Sequence, residues 1–322
     1  MHTIWTNAHF DDAPRAMLLA GIQPHRLIFS AQLSASNLAK AAPDPAMQDA
    51  AIALGQPDPD FALQCPALRW IHLTTAGYAR YDHATFRTAF AGRGSALTNS
   101  SLVYNEPCAE HLLAFMLANA RQLPPSLDTQ RTDRAWPTLQ RRADCRLLLE
   151  QNVVFLGFGA IARRLAELLA PFRAKVTAVR RRPAGDEAVA VIGEDQLPGA
   201  LASADHVVDT LPENPATRGY VNAARFAAMK PGAVFYNIGR GTTVDQDALL
   251  AALRSGRLAA AYLDVTDPEP LPVDHPLWSA PNCYVTPHSA GGHHTEPERL
   301  VRHFLENLRR FDAGEPLQDR VI

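Results

Sequence analysis

The stretch VVFLGFGAIARRLAELL (153–169) decides the fold. Four apolar residues, Val153 to Leu156, run into Gly157, Gly159 and Ala162, spaced as Gly-x-Gly-x-x-Gly/Ala, and then into apolar residues at helical spacing. That order reads as strand, tight turn and helix. Gly157 makes the turn, Gly159 lets backbone approach a pyrophosphate, and Ala162 lets the helix pack closely on the sheet. The helix N-terminus then faces the phosphates. Glycines also make ordinary turns, but here the flanking strand and helix make the motif a dinucleotide-binding loop.

Outward from this loop the chain alternates regularly. Strands are expected at 153–157, 175–179, 205–210, 233–238, 258–264 and 283–286, with helices at 160–171, 221–229 and 246–255. This is the rhythm of a parallel, doubly wound sheet. Upstream, short apolar runs at 2–5, 26–30, 50–54 and 69–74 alternate with helix-compatible segments and predict a smaller α/β layer. The segment 106–122 carries apolar residues at helical spacing with Pro107 near its start, as a helix N-terminus prefers. The stretch 123–146 is polar and reads as an irregular connector or subunit-contact arm. A last helix spans 294–313.

A chain of 322 residues is about twice the usual single-domain length, so two domains are expected. We assign 104–289 to the dinucleotide-binding domain and 1–103 plus 290–322 to a discontinuous substrate domain. Inter-domain helices fall near 106–122 and 294–313. The 31 Lys plus Arg against 33 Asp plus Glu leave a net charge of −2, without the basic excess that nucleic acid or an anionic membrane would call for. Cys65, Cys108, Cys145 and Cys283 are scattered, with neither CxxC nor metal-ligand spacing, so reduced thiols, no metal and a cytoplasmic location are expected. The amino terminus lacks a leader pattern and no apolar run reaches bilayer length.

Three further runs carry chemistry: NIGRG (237–241), LDVTDPEP (263–270) and VTPHSAGG (285–292). Each follows an expected strand, and ligands of such sheets gather at the carboxyl ends of strands. Arg240 can clamp a carboxylate or carbonyl in two-point geometry. Gly239 and Gly241 are read as giving it an unusual backbone path and close ligand approach. His288 can pass a proton near neutral pH, and Glu269 can hold its imidazole in one tautomer and favour the charged form. Asp264 is placed to bond the nicotinamide carboxamide. A surface arginine, a loop carboxylate, a structural histidine and a turn-forming Asp are the bland readings of the four, and their joint presence argues against them. At VTAVRRRP (176–183) the second strand ends on Arg180, Arg181 and Arg182. An arginine there accepts a 2′-phosphate, so NADP is favoured over NAD, although Asp186 or Glu187 could still reach a ribose.

At these residues the chain resembles the D-isomer-specific 2-hydroxyacid dehydrogenase family. The likeness runs from about residue 68 to the end, through WIHLTTAGYARYD (70–82), TNSSLVYNEPCAEHLLAFMLANAR (98–121), TLPENPATRGYVNAARFAAMKPGAVFYNIGRG (210–241), HPLW (275–278) and the runs above. The resemblance implies a Rossmann-type sheet inserted in a smaller flavodoxin-like α/β domain, and an oxidoreductase moving hydride between nicotinamide and a 2-oxo or D-2-hydroxy acid. It implies Arg240, Glu269 and His288 as the catalytic set, with the Ala76 and Gly77 backbone receiving the substrate carboxylate beside Arg240. Tyr104, a departure from the family pattern, is added as substrate-binding on the reading that it shapes the pocket rather than merely packs. Cofactor contacts are expected at Gly157, Gly159, Ala160, Ile161, Leu211, Pro212, Ile238, Gly239, Asp264, His288 and Ala290, and, from the arginine run itself, at Arg180 and Arg181. A homodimer through the nucleotide domain is implied as well, without the regulatory domain some phosphoglycerate dehydrogenases carry.

The arginine run departs from the acidic residue of NAD-preferring members, and Tyr78 and Tyr104 stand where smaller aliphatic residues are common. A glyoxylate or hydroxypyruvate reductase is the preferred expectation. The alternatives are a dinucleotide-sensing, corepressor-like interaction protein and a phosphite or formate dehydrogenase of the same fold. Glu269 speaks against the formate branch.

Overall fold

A computed structural model describes residues 1–34, 42–181, 185 and 187–322. The chain divides into two compact units, Met1–Tyr104 with Gly292–Ile322, and Asn105–Gly291. Both are parallel-sheet α/β units.

The first unit holds β1 (Thr3–Ala8), β2 (Arg26–Ser34), β3 (Ile52–Leu54), β4 (Trp70–His72) and β5 (Ala96–Thr98), in spatial order β2-β1-β3-β4-β5. All four pairings are parallel. This is the flavodoxin-like strand order. β1, β3 and β4 are almost wholly buried, as strands covered on both faces must be. β5 escaped the sequence reading because Ala-Leu-Thr carries one large apolar residue, whereas the equally short β3 and β4 lie in longer apolar runs. Helix Glu296–Ala313 packs on helix Asp12–Gly21, where a Cβ on Gly21 would lie 2.4 Å from a Leu305 methyl.

His2, His25 and Asp312 also meet in this unit. The His2 backbone N–H donates to Nδ1 of His25, and Nε2 of His25 lies 2.9 Å from Asp312. A neutral ring that accepts at Nδ1 carries its proton on Nε2, so His25 donates to the carboxylate. The cluster therefore ties β1 and β2 to the last helix.

The second unit holds β6 (Asn152–Leu156), β7 (Lys175–Val179), β8 (Ala190–Ile192), β9 (His206–Asp209), β10 (Ala233–Asn237), β11 (Leu258–Leu263) and β12 (Cys283–Val285). Their order is β12-β11-β10-β9-β6-β7-β8, a Rossmann arrangement. The chain steps outward from β6 through β7 and β8 on one side and through β9 to β12 on the other. Its crevice lies where that direction reverses, between β6 and β9. The core is aliphatic, from Val154 and Leu156 to Leu253 and Leu263, with Phe226 and Phe235 inside.

Two expectations are corrected. Helix Ser101–Ala120 begins five residues before the expected start and holds Pro107 within it rather than at its end. A proline near the start of a long helix removes one backbone bond, its own N–H to the Val103 carbonyl, without halting the helix. The connector 123–146 is not irregular, because Leu123–Arg131 and Thr138–Asp144 are helices. Neither buries a residue, so neither needs the apolar stripe by which a helix is read. Pro124 and Pro125 sit in a first turn, where the missing N–H costs little. Among the described residues no helix is long and apolar enough to cross a membrane.

Candidate active site

Every chemistry-bearing residue of the second unit follows the carboxyl end of a strand of its sheet. Gly157 follows β6 with φ +85°, a conformation that glycine adopts freely and other residues rarely. Gly159 caps helix Ala160–Leu169, and a Cβ built on it would meet nothing within 4 Å. No side chain caps this helix, which leaves the first-turn N–H groups of Ala160 and Ile161 for a ligand. Ala162 is fully buried against the sheet. The open space, the uncapped amides and the left-handed glycine together fit a diphosphate.

After β7, Arg180 is ion-paired to Glu187 at 2.7 Å, and only 4% of the Glu187 side chain is exposed. Arg181 is exposed. Arg182 and Asp186 lie outside the described residues. After β9, the Leu211 N–H donates to Asp209 and Pro212 O accepts from the Thr217 hydroxyl.

Ile238 and Gly239 follow β10 and lead into Arg240. The two glycines flanking Arg240 correct a sequence expectation, since neither has positive φ. A Cβ on Gly239 would lie 2.6 Å from Leu211 O, and one on Gly241 would lie 1.9 Å from the Thr266 carbonyl carbon. Neighbouring backbone, rather than a ligand, is what requires them to be glycine. Asn237 Nδ2 donates to Arg240 O at 2.9 Å, and Thr243 Oγ1 lies 2.6 Å from the same oxygen. The Arg240 side chain is half-buried, with Nη1 donating to Gly239 O.

His288 and Glu269 meet, with Nδ1 2.9 Å from Oε2. Burial alone would raise the Glu269 carboxyl. The His288 bond and charge, the Thr266 N–H and the Arg240 charge outweigh it and hold the group below its usual value. Both Glu269 and His288 stay partly open, at 36% and 28% side-chain exposure, so reagents can reach them. Nδ1 being engaged, Nε2 of His288 is the atom left for proton transfer. His288 has φ +51°, uncommon for a residue with a side chain, so its loop must be held from outside.

Asp264 does the holding. Its Oδ1 accepts from the Ser289 N–H at 2.9 Å, the Ala290 N–H at 3.2 Å and the Thr286 hydroxyl at 2.6 Å, while its carbonyl accepts the His288 N–H at 2.9 Å. Behind Thr286 stands His111, 3.2 Å from the hydroxyl, its pKa lowered by burial against the opposing pull of the Asp264 charge.

In the first unit, Ala76 O accepts from Asn99 at 2.6 Å and Gly77 O from the Thr75 hydroxyl at 2.7 Å. The Tyr104 hydroxyl is engaged by Thr74 O and Glu296, each at 2.8 Å. Tyr78 and Tyr104 both pack against core clusters. The sequence reading missed Asp209, Asn237, Thr243, Thr286 and His111 as supports of the site. Their only signal is position: Asp209 and Asn237 end strands, Thr243 and Thr286 lie beside or within the motif runs, and His111 sits inside a helix.

The model of the D-isomer specific 2-hydroxyacid dehydrogenase NAD binding domain matches residues 113–290. The human glyoxylate reductase/hydroxypyruvate reductase is 34% identical over 232 residues, 71% of this chain and 70% of its own. A D-isomer specific 2-hydroxyacid dehydrogenase from Xanthobacter autotrophicus, solved with NADPH and MES, superposes with a TM-score of 0.81 at 31% identity, covering 100% of this chain and 98% of that one. The NADPH-dependent glyoxylate/hydroxypyruvate reductase of Sinorhizobium meliloti, solved with NADP and sulfate, gives 0.78 at 26% identity with 100% and 98% coverage. The nucleotide loop, the paired imidazole and carboxylate and these likenesses agree, and the chain belongs to the D-isomer specific 2-hydroxyacid dehydrogenase family.

Proposed function

We propose that the protein reduces a small 2-oxo acid of the glyoxylate and hydroxypyruvate class to its D-2-hydroxy acid, with NADPH preferred. The observation that carries this reading is the His288–Glu269 pair at 2.9 Å, with the Arg240 charge acting on the same carboxylate. When bound, the reduced nicotinamide supplies the hydride. His288, as imidazolium, gives its Nε2 proton to the carbonyl oxygen, and in the reverse direction the neutral ring takes it back. Glu269 keeps Nδ1 protonated and balances the ring's charge. Arg240 orients the substrate and offsets charge developing on the reacting oxygen. The Ala76 and Gly77 backbone is assigned to the substrate carboxylate, and Tyr104 to the wall of the substrate pocket.

Gly157, Gly159, Ala160 and Ile161 would hold the diphosphate, with Leu211, Pro212, Ile238, Gly239 and Ala290 along the nucleotide and Asp264 toward the carboxamide. Arg181 and Arg180 would meet the 2′-phosphate, an assignment supported by their place after β7 and by the NADPH and NADP in the related structures. Arg181→Ala should then raise KM for NADPH about tenfold, the scale of one charge-assisted hydrogen bond, while KM for NADH stays within about twofold. An equal effect on both would remove the 2′-phosphate assignment.

The test of the activity is oxidation of NADPH, and in parallel NADH, by the purified protein with glyoxylate, hydroxypyruvate, pyruvate and phenylpyruvate. Consumption with at least one acid supports the reading. Nucleotide binding without any turnover would favour the sensing role.

A cytoplasmic homodimer is part of the proposal. It is supported by four free cysteines and by apolar side chains displayed along 123–147, with Trp136 91% and Leu139 84% exposed. A monomer leaves such a patch in water at a cost. Replacing Trp136 and Leu139 together by Asp should convert a dimer to a monomer in sedimentation equilibrium, and a wild-type monomer would sink this part.

A further inference from the structure

Asp209, the last residue of β9, is fully buried. Its flanking strand partners are Leu156 on β6 and Asn237 on β10, both uncharged. Its Oδ1 accepts the Leu211 N–H at 2.9 Å, and its Oδ2 lies 2.6 Å from Thr243 Oγ1. The same Thr243 oxygen lies 2.6 Å from the Arg240 carbonyl oxygen. Two O···O contacts this short each need a proton between them. A threonine hydroxyl has one, and a carbonyl has none. The second proton must therefore sit on Asp209, giving a chain from the Asp209 carboxyl to the Thr243 hydroxyl to the Arg240 carbonyl.

We propose that Asp209 is a positioning residue for the reaction: its protonated carboxyl orients the Thr243 hydroxyl onto the Arg240 backbone and so aims the Arg240 guanidinium. This rests on the reading of Arg240 as the substrate clamp. Burial pushes the Asp209 carboxyl up to about 7, with the Thr243 hydroxyl and the Leu211 N–H pulling the other way, and no charged group among the described residues acts on it. Above that pH the carboxylate claims the Thr243 proton, and the Arg240 carbonyl keeps the Asn237 amide and the Thr243 N–H as donors. The clamp then loosens.

KM for the 2-oxo acid should accordingly rise about fivefold from pH 6 to pH 8.5, the scale of one hydrogen bond. Asp209→Asn keeps a donor and an acceptor in place without a titrating proton. It should hold KM near the wild-type acid value across the range. Thr243→Val, of similar shape, should show the raised KM at every pH. A KM in Asp209→Asn that follows pH as the wild type does, or an unaltered KM in Thr243→Val, overturns the proposal.

An independent readout separates this from failure of the proposed activity. Infrared difference spectra of the two proteins at pH 6 should contain a protonated-carboxyl band that Asp209→Asn removes, whether or not turnover is found. Absence of that band also overturns the proposal. If the band is present but Arg240→Ala binds and reduces substrate normally, the reading of Arg240 has failed and the positioning role falls with it.

Discussion

Replacing His288 by Ala is expected to lower kcat for 2-oxo acid reduction by about 10²–10⁴-fold while NADPH still binds. The imidazole is the group that Glu269 holds, and its free Nε2 is the atom able to deliver a proton. The neighbouring Ser289 and Ala290 give their N–H groups to Asp264, which fixes the loop that carries the imidazole. Glu269→Gln is the companion. A glutamine keeps a hydrogen-bonding oxygen near Nδ1 but no charge, so the imidazolium loses its counter-ion and reduction should weaken most where His288 must be charged. The pH dependence has a defined sign. The Glu269 carboxyl lies below its usual value, so the pair is intact above the ordinary carboxylate range and is lost only as pH falls through the lowered value. Turnover should therefore fall on the acid side, as Glu269 takes up a proton and the pair is lost, and hold above the ordinary carboxylate range. Stopped-flow turnover with nucleotide binding measured on the same samples checks both statements. Turnover of His288→Ala within about threefold of wild type would remove His288 from the mechanism.

The second large effect is on stability. Gly241→Ala would place its Cβ 1.9 Å from the Thr266 carbonyl carbon, 2.0 Å from its oxygen and 2.5 Å from the Asp267 nitrogen. All three atoms are backbone, so no side-chain rotation relieves the clash, and the chain must move. We expect a loss on the order of 3 kcal/mol, at the upper end of overpacking. The displaced segment carries the Thr266 N–H that bonds Glu269 at 3.2 Å, so the surviving folded protein should also lose turnover. Gly159→Ala is the matched control, because a Cβ there meets nothing within 4 Å. It should unfold at the wild-type urea concentration and yet bind NADPH more weakly, since the methyl enters the space assigned to the diphosphate. A Gly241→Ala protein with the wild-type urea midpoint would refute the packing argument.

Much of this molecule is local and was therefore readable. The turn at Gly157, the uncapped helix after it and the strand-end positions of Arg240, Asp264 and His288 follow from short-range rules, in which a few residues set dihedrals and periodicity. The larger sheet was legible because its strands alternate with amphipathic helices. Elements without such patterns were not. β5 has one large apolar residue, β8 is a partly exposed edge strand, and the helices at Leu123–Arg131 and Thr138–Asp144 bury nothing.

The sequence by itself determined the fold class, the nucleotide loop and the residue types able to do the chemistry. Only the tertiary structure decided which of them touch. It brought Nδ1 of His288 to Glu269 across 19 residues, tied the His288 loop to Asp264 across 25, and set Asp209 beside Thr243 across 34. It also showed that Gly239 and Gly241 are needed for backbone packing. These contacts join the ends of different strands, and their geometry comes from sheet order and register, which no local window of sequence contains.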